Sequence, residues 1–196
     1  MLWQFWQAWE RLTSGLRSQC PGDAHETVEA WRAALRNSGG PGALIFSRQT
    51  LPLLSADDGA QARGLQRSAY ILWQSGAGQP QVILIGSGSE TQFALTAGKT
   101  LATEGIRARV VSMPSWELFD RQPDDYRESV LPSAVRARVA VEAAIKLGWE
   151  RYGGLDGAVV GMAGFGASAP ASVLYQKFGI TTEAVVASAQ KLLAKA

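Results

Sequence analysis

Residues 81–112 constrain the fold more than any other stretch. The run Gln81-Val82-Ile83-Leu84-Ile85-Gly86 is apolar without alternation, the pattern of a strand buried on both faces. Gly86-Ser87-Gly88-Ser89-Glu90 then turns the chain into a helix that interleaves Phe93, Leu95, Ala97 and Leu101 with polar positions. It ends at Gly105, where a left-handed C-cap is wanted. Residues 106–112 follow as the next strand. A strand, a helix and a strand in this order imply parallel pairing through a right-handed crossover.

The remaining elements extend that unit. Ala69-Tyr70-Ile71-Leu72-Trp73 reads as an edge strand or lead-in, residues 138–142 as a third strand and residues 158–161 as a fourth. Pro114 interrupts the chain, and residues 116–119 and 124–130 read as short helical turns. Thr181 caps a final amphipathic helix with Val185, Val186, Ala189, Leu192 and Leu193 facing inward. We therefore expect an α/β fold: an open, mostly parallel sheet in a three-layer α/β/α arrangement.

A partial α/β segment precedes it. Asp23-Ala24-His25-Glu26 is a capping box, an acceptor followed three residues later by a glutamate. Val28, Trp31 and Leu35 recur on one face of the helix, which Asn37-Ser38-Gly39-Gly40-Pro41-Gly42 stops. Ala43-Leu44-Ile45-Phe46-Ser47 reads as a short buried strand. Residues 55–64, polar and without periodicity, read as the inter-domain linker. The organisation expected is residues 1–20 as a separate segment, 21–68 as a partial domain, and 69–196 as a complete one. In the first twenty residues Leu2, Phe5, Trp6, Trp9, Thr13 and Leu16 share one helical face, and docking on a partner is favoured over lying on a membrane.

Composition removes several kinds of chemistry. Nineteen Lys plus Arg against seventeen Asp plus Glu leave a net charge of +2, with no basic stripe for nucleic acid. One cysteine, Cys20, and one histidine, His25, exclude a disulfide framework, Cys-based zinc sites and multi-histidine metal sites. No apolar run reaches the roughly 18 residues of a membrane span. A reducing, cytoplasmic compartment is expected.

Two places have the residue types of a ligand site. Gly86, Ser87, Gly88 and Ser89, with Glu90, lie between a strand and a helix, where backbone N–H groups can hold an anion. Thr91 stands where a dinucleotide fingerprint has its third glycine, and no lysine follows as in a phosphate loop. A tight strand-to-helix turn is the plainer reading of those glycines. Arg48, in Ser47-Arg48-Gln49 at a strand end, offers a planar fork of donors to a phosphate or carboxylate, against an ordinary surface ion pair. Gly164-Phe165-Gly166-Ala167-Ser168-Ala169 has no acid or base, and Phe165 is expected to pack between its glycines. Asp124, Asp125 and Glu128 sit beside Arg121 and Arg127 and read as a solvated charged face. No catalytic constellation emerges.

Longer strings carry a resemblance. Pro21-Gly22-Asp23-Ala24-His25-Glu26-Thr27, Gly42-Ala43-Leu44-Ile45-Phe46-Ser47-Arg48-Gln49 and Leu51-Pro52 resemble the end of the pyrimidine-binding domain of transketolases. Gly86-Ser87-Gly88-Ser89-Glu90, Arg109-Val110-Val111-Ser112-Met113-Pro114-Ser115-Trp116-Glu117-Leu118-Phe119, Tyr126-Arg127-Glu128-Ser129-Val130-Leu131-Pro132 and Phe165-Gly166-Ala167-Ser168-Ala169-Pro170 resemble that family's C-terminal domain. The resemblance implies transfer of two-carbon ketol units between sugar phosphates in the pentose phosphate pathway. It also implies thiamine diphosphate, a divalent metal such as magnesium, and a homodimer or association with a transketolase N-terminal part. By it, Arg48 binds the phosphate of the sugar substrate. The cofactor's binding residues lie upstream of the matched strings, so these residues alone are expected to bind no cofactor and to be inactive. A non-catalytic docking, dimerisation or anion-binding module is the alternative. Two departures stand out: Ala163-Gly164 where the family has an Asp-Arg pair, and Cys20 where it has an arginine before Pro-x-Asp. Together with the unmatched first twenty residues, the second suggests a truncated reading frame.

Overall fold

The computed structural model describes residues 16–54 and 61–195. The Trp-rich stripe proposed for residues 1–20 therefore falls, apart from Leu16, outside the described residues, as does the first part of the expected linker. Five strands form the main sheet: β3 (Tyr70–Gln74), β4 (Val82–Gly86), β5 (Ala108–Ser112), β6 (Arg138–Ile145) and β7 (Ala158–Met162). Their order is β3-β5-β4-β6-β7. All neighbours are parallel except β3, which runs antiparallel to β5 at the edge. The expected class and crossover unit are as read from the sequence.

Side chains of β4 alternate between two cores, as the period of a strand requires. Val82 and Leu84 join Ala94, Ala97 and Leu101 of α2 (Thr91–Thr103) and Val185 and Ala189 of α7 (Thr182–Leu193). Ile83 and Ile85 face the other way, onto Phe119 of α3 (Trp116–Asp120), Val130 of α4 (Asp124–Val130) and Tyr152 of α5 (Glu150–Gly153). Helices on both faces give the three layers. Thr181 Oγ1 caps α7 by accepting from the Ala184 N–H, as its position suggested. No helix among the described residues is long and apolar enough to cross a membrane.

The preceding segment is β1 (Arg17–Gln19), α1 (Ala24–Arg36) and β2 (Gly42–Leu44), with β1 and β2 paired parallel. Asp23 caps the helix as read, while Glu26 reaches back one residue beyond the N-cap. Asp23 Oδ1 accepts from the Glu26 N–H at 2.8 Å, and Glu26 Oε2 accepts from the Gly22 N–H at 2.6 Å. The helix is inverted relative to its pattern, however. It buries Glu26, Glu29 and Ala30, while Val28, Trp31 and Leu35 stand 50%, 51% and 80% exposed.

The buried face of α1 is polar because it docks on polar atoms. Glu26 Oε1 accepts from Tyr70 Oη (2.7 Å) and from Ser112 Oγ on the main sheet, and Glu29 accepts from Gln66 Nε2. Backbone bonds from Cys20 N to Pro114 O and from Gly88 N to Cys20 O add to the seam. Part of the expected linker is likewise corrected. Gln61–Arg67 is a 3₁₀ helix that buries Ala62 and Leu65, so the connection is packed against the sheet rather than loose.

Candidate functional site

A cavity of about 330 Å³ opens at the carboxyl ends of β4, β6 and β7, the edge where open parallel sheets place ligands. Three pieces of chain meet there. Ser87 and the 3₁₀ turn Gly88–Glu90 leave β4, Glu142 lies on β6, and α6 (Ala171–Phe178) crosses the opening with Tyr175. Ser47 and Gln49, which flank Arg48, line the same cavity from the preceding segment.

Parallel register explains why Ser87 meets Glu142. Gly86 pairs with Val141, so the next residue on each strand is side by side, and Ser87 Oγ donates to Glu142 Oε2. Glu90 accepts from Ser89 Oγ at 2.8 Å and from Tyr175 Oη at 2.6 Å. Tyr175 Oη in turn accepts from Gln49 Nε2 at 3.2 Å. A hydrogen-bond chain thus runs from the residue beside Arg48 to the buried carboxyl of Glu90, in the turn that follows β4. Arg48 is exposed, beside the cavity but not among its lining residues.

Burial sets the charge state here. Glu90 and Glu142 are 4% and 2% exposed. Desolvation raises both carboxyls above the ordinary glutamate value, and the charge of Glu90 raises Glu142 further. Of the two carboxyls, Glu142 is raised the more strongly. Burial and the same Glu90 charge push the Tyr175 phenol well above its usual range, so it remains a donor.

The glycine loop is a turn built under tight contact. A Cβ at Gly86 would come within 2.7 Å of the Thr91 Cα, and Gly88 has φ of 52°. Its donors are largely engaged inside the fold. The Gly88 N–H reaches Cys20 O, the Glu90 N–H reaches Ser87 O, and Ser87 and Ser89 hydroxyls face carboxyls.

Phe165 differs from its expected packing role. It is 80% exposed in a loop exposed throughout residues 163–170. Asp124, Asp125 and Glu128 are exposed, as expected. Sequence reasoning missed Tyr175 and the pairing of Glu90 with Glu142. A lone acid ending an otherwise apolar strand was the available signal for Glu142.

The comparisons with known proteins follow the same architecture. Residues 68–181 match the family model for the transketolase-like TK C-terminal domain. The chain belongs to the transketolase family. It is 48% identical over 183 residues to transketolase 1 of Escherichia coli, a match covering 93% of this chain and 27% of that protein. The structure of transketolase from Leishmania mexicana superposes with a TM-score of 0.86 at 44% identity, over 97% of this chain and 27% of that one. A split-gene transketolase described as an inactive beta4 tetramer, at 24% identity and TM-score 0.72, shares the fold. That match covers 95% of this chain and 61% of the split-gene chain. The chain thus spans about a quarter of the length of the full transketolases it matches.

Proposed function

We propose that this chain supplies the C-terminal domain, residues 69–196, and the end of a pyrimidine-binding domain, residues 21–68, to transketolase-type transfer of two-carbon ketol units between sugar phosphates. On its own it does not turn over. The observation that carries this reading is the loop Ser47-Arg48-Gln49. Gln49 is tethered to Tyr175 while the Arg48 guanidinium stays exposed, free to offer its fork of donors to a substrate phosphate.

Thiamine diphosphate and magnesium serve the intact family. Among the described residues no group of three or more His, Cys, Asp or Glu side chains suits a metal ion. The rest of the site comes from a transketolase N-terminal part, in a cytoplasmic assembly that includes a second copy of the chain. Val28, Trp31, Leu35 and Phe46 support this association, since Trp31 and Phe46 stack at 6.3 Å on an exposed face. The same face favours a second reading, a non-catalytic docking or dimerisation module.

An assay with xylulose 5-phosphate, ribose 5-phosphate, thiamine diphosphate and magnesium tests both. The chain alone gives no turnover, and turnover by it alone overturns the reading. Mixing in a transketolase N-terminal part restores activity, and Arg48→Ala then raises the KM for phosphorylated substrate. Loss of a charged hydrogen bond worth about 1.5–3 kcal/mol predicts roughly ten- to hundredfold. A mixture that associates but stays inactive favours the docking module.

A further inference from the structure

The cavity beneath α6 has two acids in its wall, hydrogen-bonded by Ser87, Ser89 and Tyr175, and no base. Glu90 and Glu142 are the acidic residues lining it, and no Lys, Arg or His lines it at all. Opposite them the wall is apolar, formed by Ile45, Met162, Leu174, Phe178 and Ile180. A buried carboxyl pair without a cation must either retain a proton or take a positive guest. Both the volume, about 330 Å³, and the division into one polar and one apolar side are those of a small-molecule site.

We propose that this cavity binds a primary ammonium compound with an apolar body. Glu90 and Glu142 hold the ammonium, with Ser89 Oγ as a further acceptor, and the body lies along Leu174, Phe178 and Met162. An ammonium has three donors and no acceptor, which suits a wall of carboxyl and hydroxyl oxygens. An anion would face two carboxyls and a loop whose donors are already engaged. A divalent metal needs six or more oxygen ligands, which the apolar side does not offer.

Binding has a proton balance. The protonated carboxyl of the pair gives its proton to buffer as the ammonium arrives. Two carboxylates then face one cation, and no covalent bond forms or breaks. Burial and the neighbouring charge of Glu90 are what favour the protonated form of Glu142.

Calorimetric titration of the full chain at pH 7 tests the proposal, in two buffers of different ionisation enthalpy. The probes are n-pentylamine, n-pentanol and pentanoate. Pentylamine is expected to bind saturably with release of up to about one proton, at least tenfold more tightly than pentanol. Glu142→Gln, nearly isosteric, abolishes the proton release and weakens the amine tenfold or more. The proton count and the amine-to-alcohol ratio are read on the unmodified chain, so they stand even where the variant fails to fold. Equal binding of pentanol, amine binding without proton release, preferential binding of pentanoate, or no saturable amine binding would each overturn the proposal.

Discussion

In β4, Val82, Ile83, Leu84 and Ile85 have no exposed surface, whereas α1 buries Glu26, Glu29 and Ala30 and turns Val28, Trp31 and Leu35 to solvent. The two regions hold their places by different physics. The sheet removes apolar side chains from water on both faces, worth about 1.5–3 kcal/mol for each large residue fully buried. The segment from Arg17 to Leu54 adds Ala30 and Leu54 to that core and is positioned by hydrogen bonds that replace bonds to water, each worth about 0.5–1.5 kcal/mol net. The segment is well specified in position, yet it presents an exposed apolar face of Val28, Trp31, Leu35 and Phe46.

Four measurements break or sharpen this contrast. Leu84→Ala opens a cavity in the central strand and should cost about 2–5 kcal/mol in denaturant unfolding, lost by both regions together. A cost below about 1 kcal/mol would mean the sheet is not the stabilising unit. Glu26→Ala leaves Tyr70 Oη, Ser112 Oγ and the Gly22 N–H without their shared acceptor. About 1–3 kcal/mol should be lost, with faster amide exchange in α1 and little change in β4 and β5.

The pH dependence comes next in size. Glu26, Glu90 and Glu142 all titrate above their ordinary value of 4.5, with burial the first cause in each. Folded, they bind more protons than unfolded, so their contribution is complete below pH 4.5 and is lost as pH rises through their folded values. One such proton gives a slope of at most about 1.4 kcal/mol per pH unit. Glu142→Gln should flatten the fall in stability measured from pH 5 to 8. An unchanged slope would mean that Glu142 keeps its charge when buried. Trp31→Ser should move the stability of the isolated chain by about 0.5 kcal/mol or less, the range for surface positions. A much larger loss, or a change in molecular mass by light scattering, would show that the apolar face is already covered.

What could be read from the sequence follows the same division. In the sheet, apolar runs and punctuating residues were sufficient. The strand within residues 81–86, the helix ending before Gly105 with its φ of 80°, and the Thr181 cap all stand as read. Local patterns fix those elements because each is satisfied by its own residues and immediate neighbours. In the segment, periodicity identified α1, but its apolar face is the exposed one, because burial there is decided by Tyr70 and Ser112, far along the chain.

The candidate site was legible only in pieces. Ser47-Arg48-Gln49 and Gly86-Ser87-Gly88-Ser89 were singled out separately, and folding brings Ser47 and Gln49 to the same cavity as Ser87, Gly88 and Ser89. Tyr175, which joins them, lies on a helix with no side-chain cap and no fully buried residue, so α6 left no periodic or capping signal. Glu142 meets Ser87 only through parallel register between β4 and β6, a property of two strands rather than of either string.

Native-state hydrogen exchange on the full chain, read residue by residue, tests the contrast between the two regions most directly. A sheet held by packing and a segment held by polar contacts predict that the amides of Glu29 and Ala30 in α1 open at a lower free energy than those of Ile83 and Leu84 in β4. Those of β4 should open only with global unfolding. Equal opening free energies for α1 and β4 would contradict the account, because the segment would then be as firmly part of the core as the sheet itself.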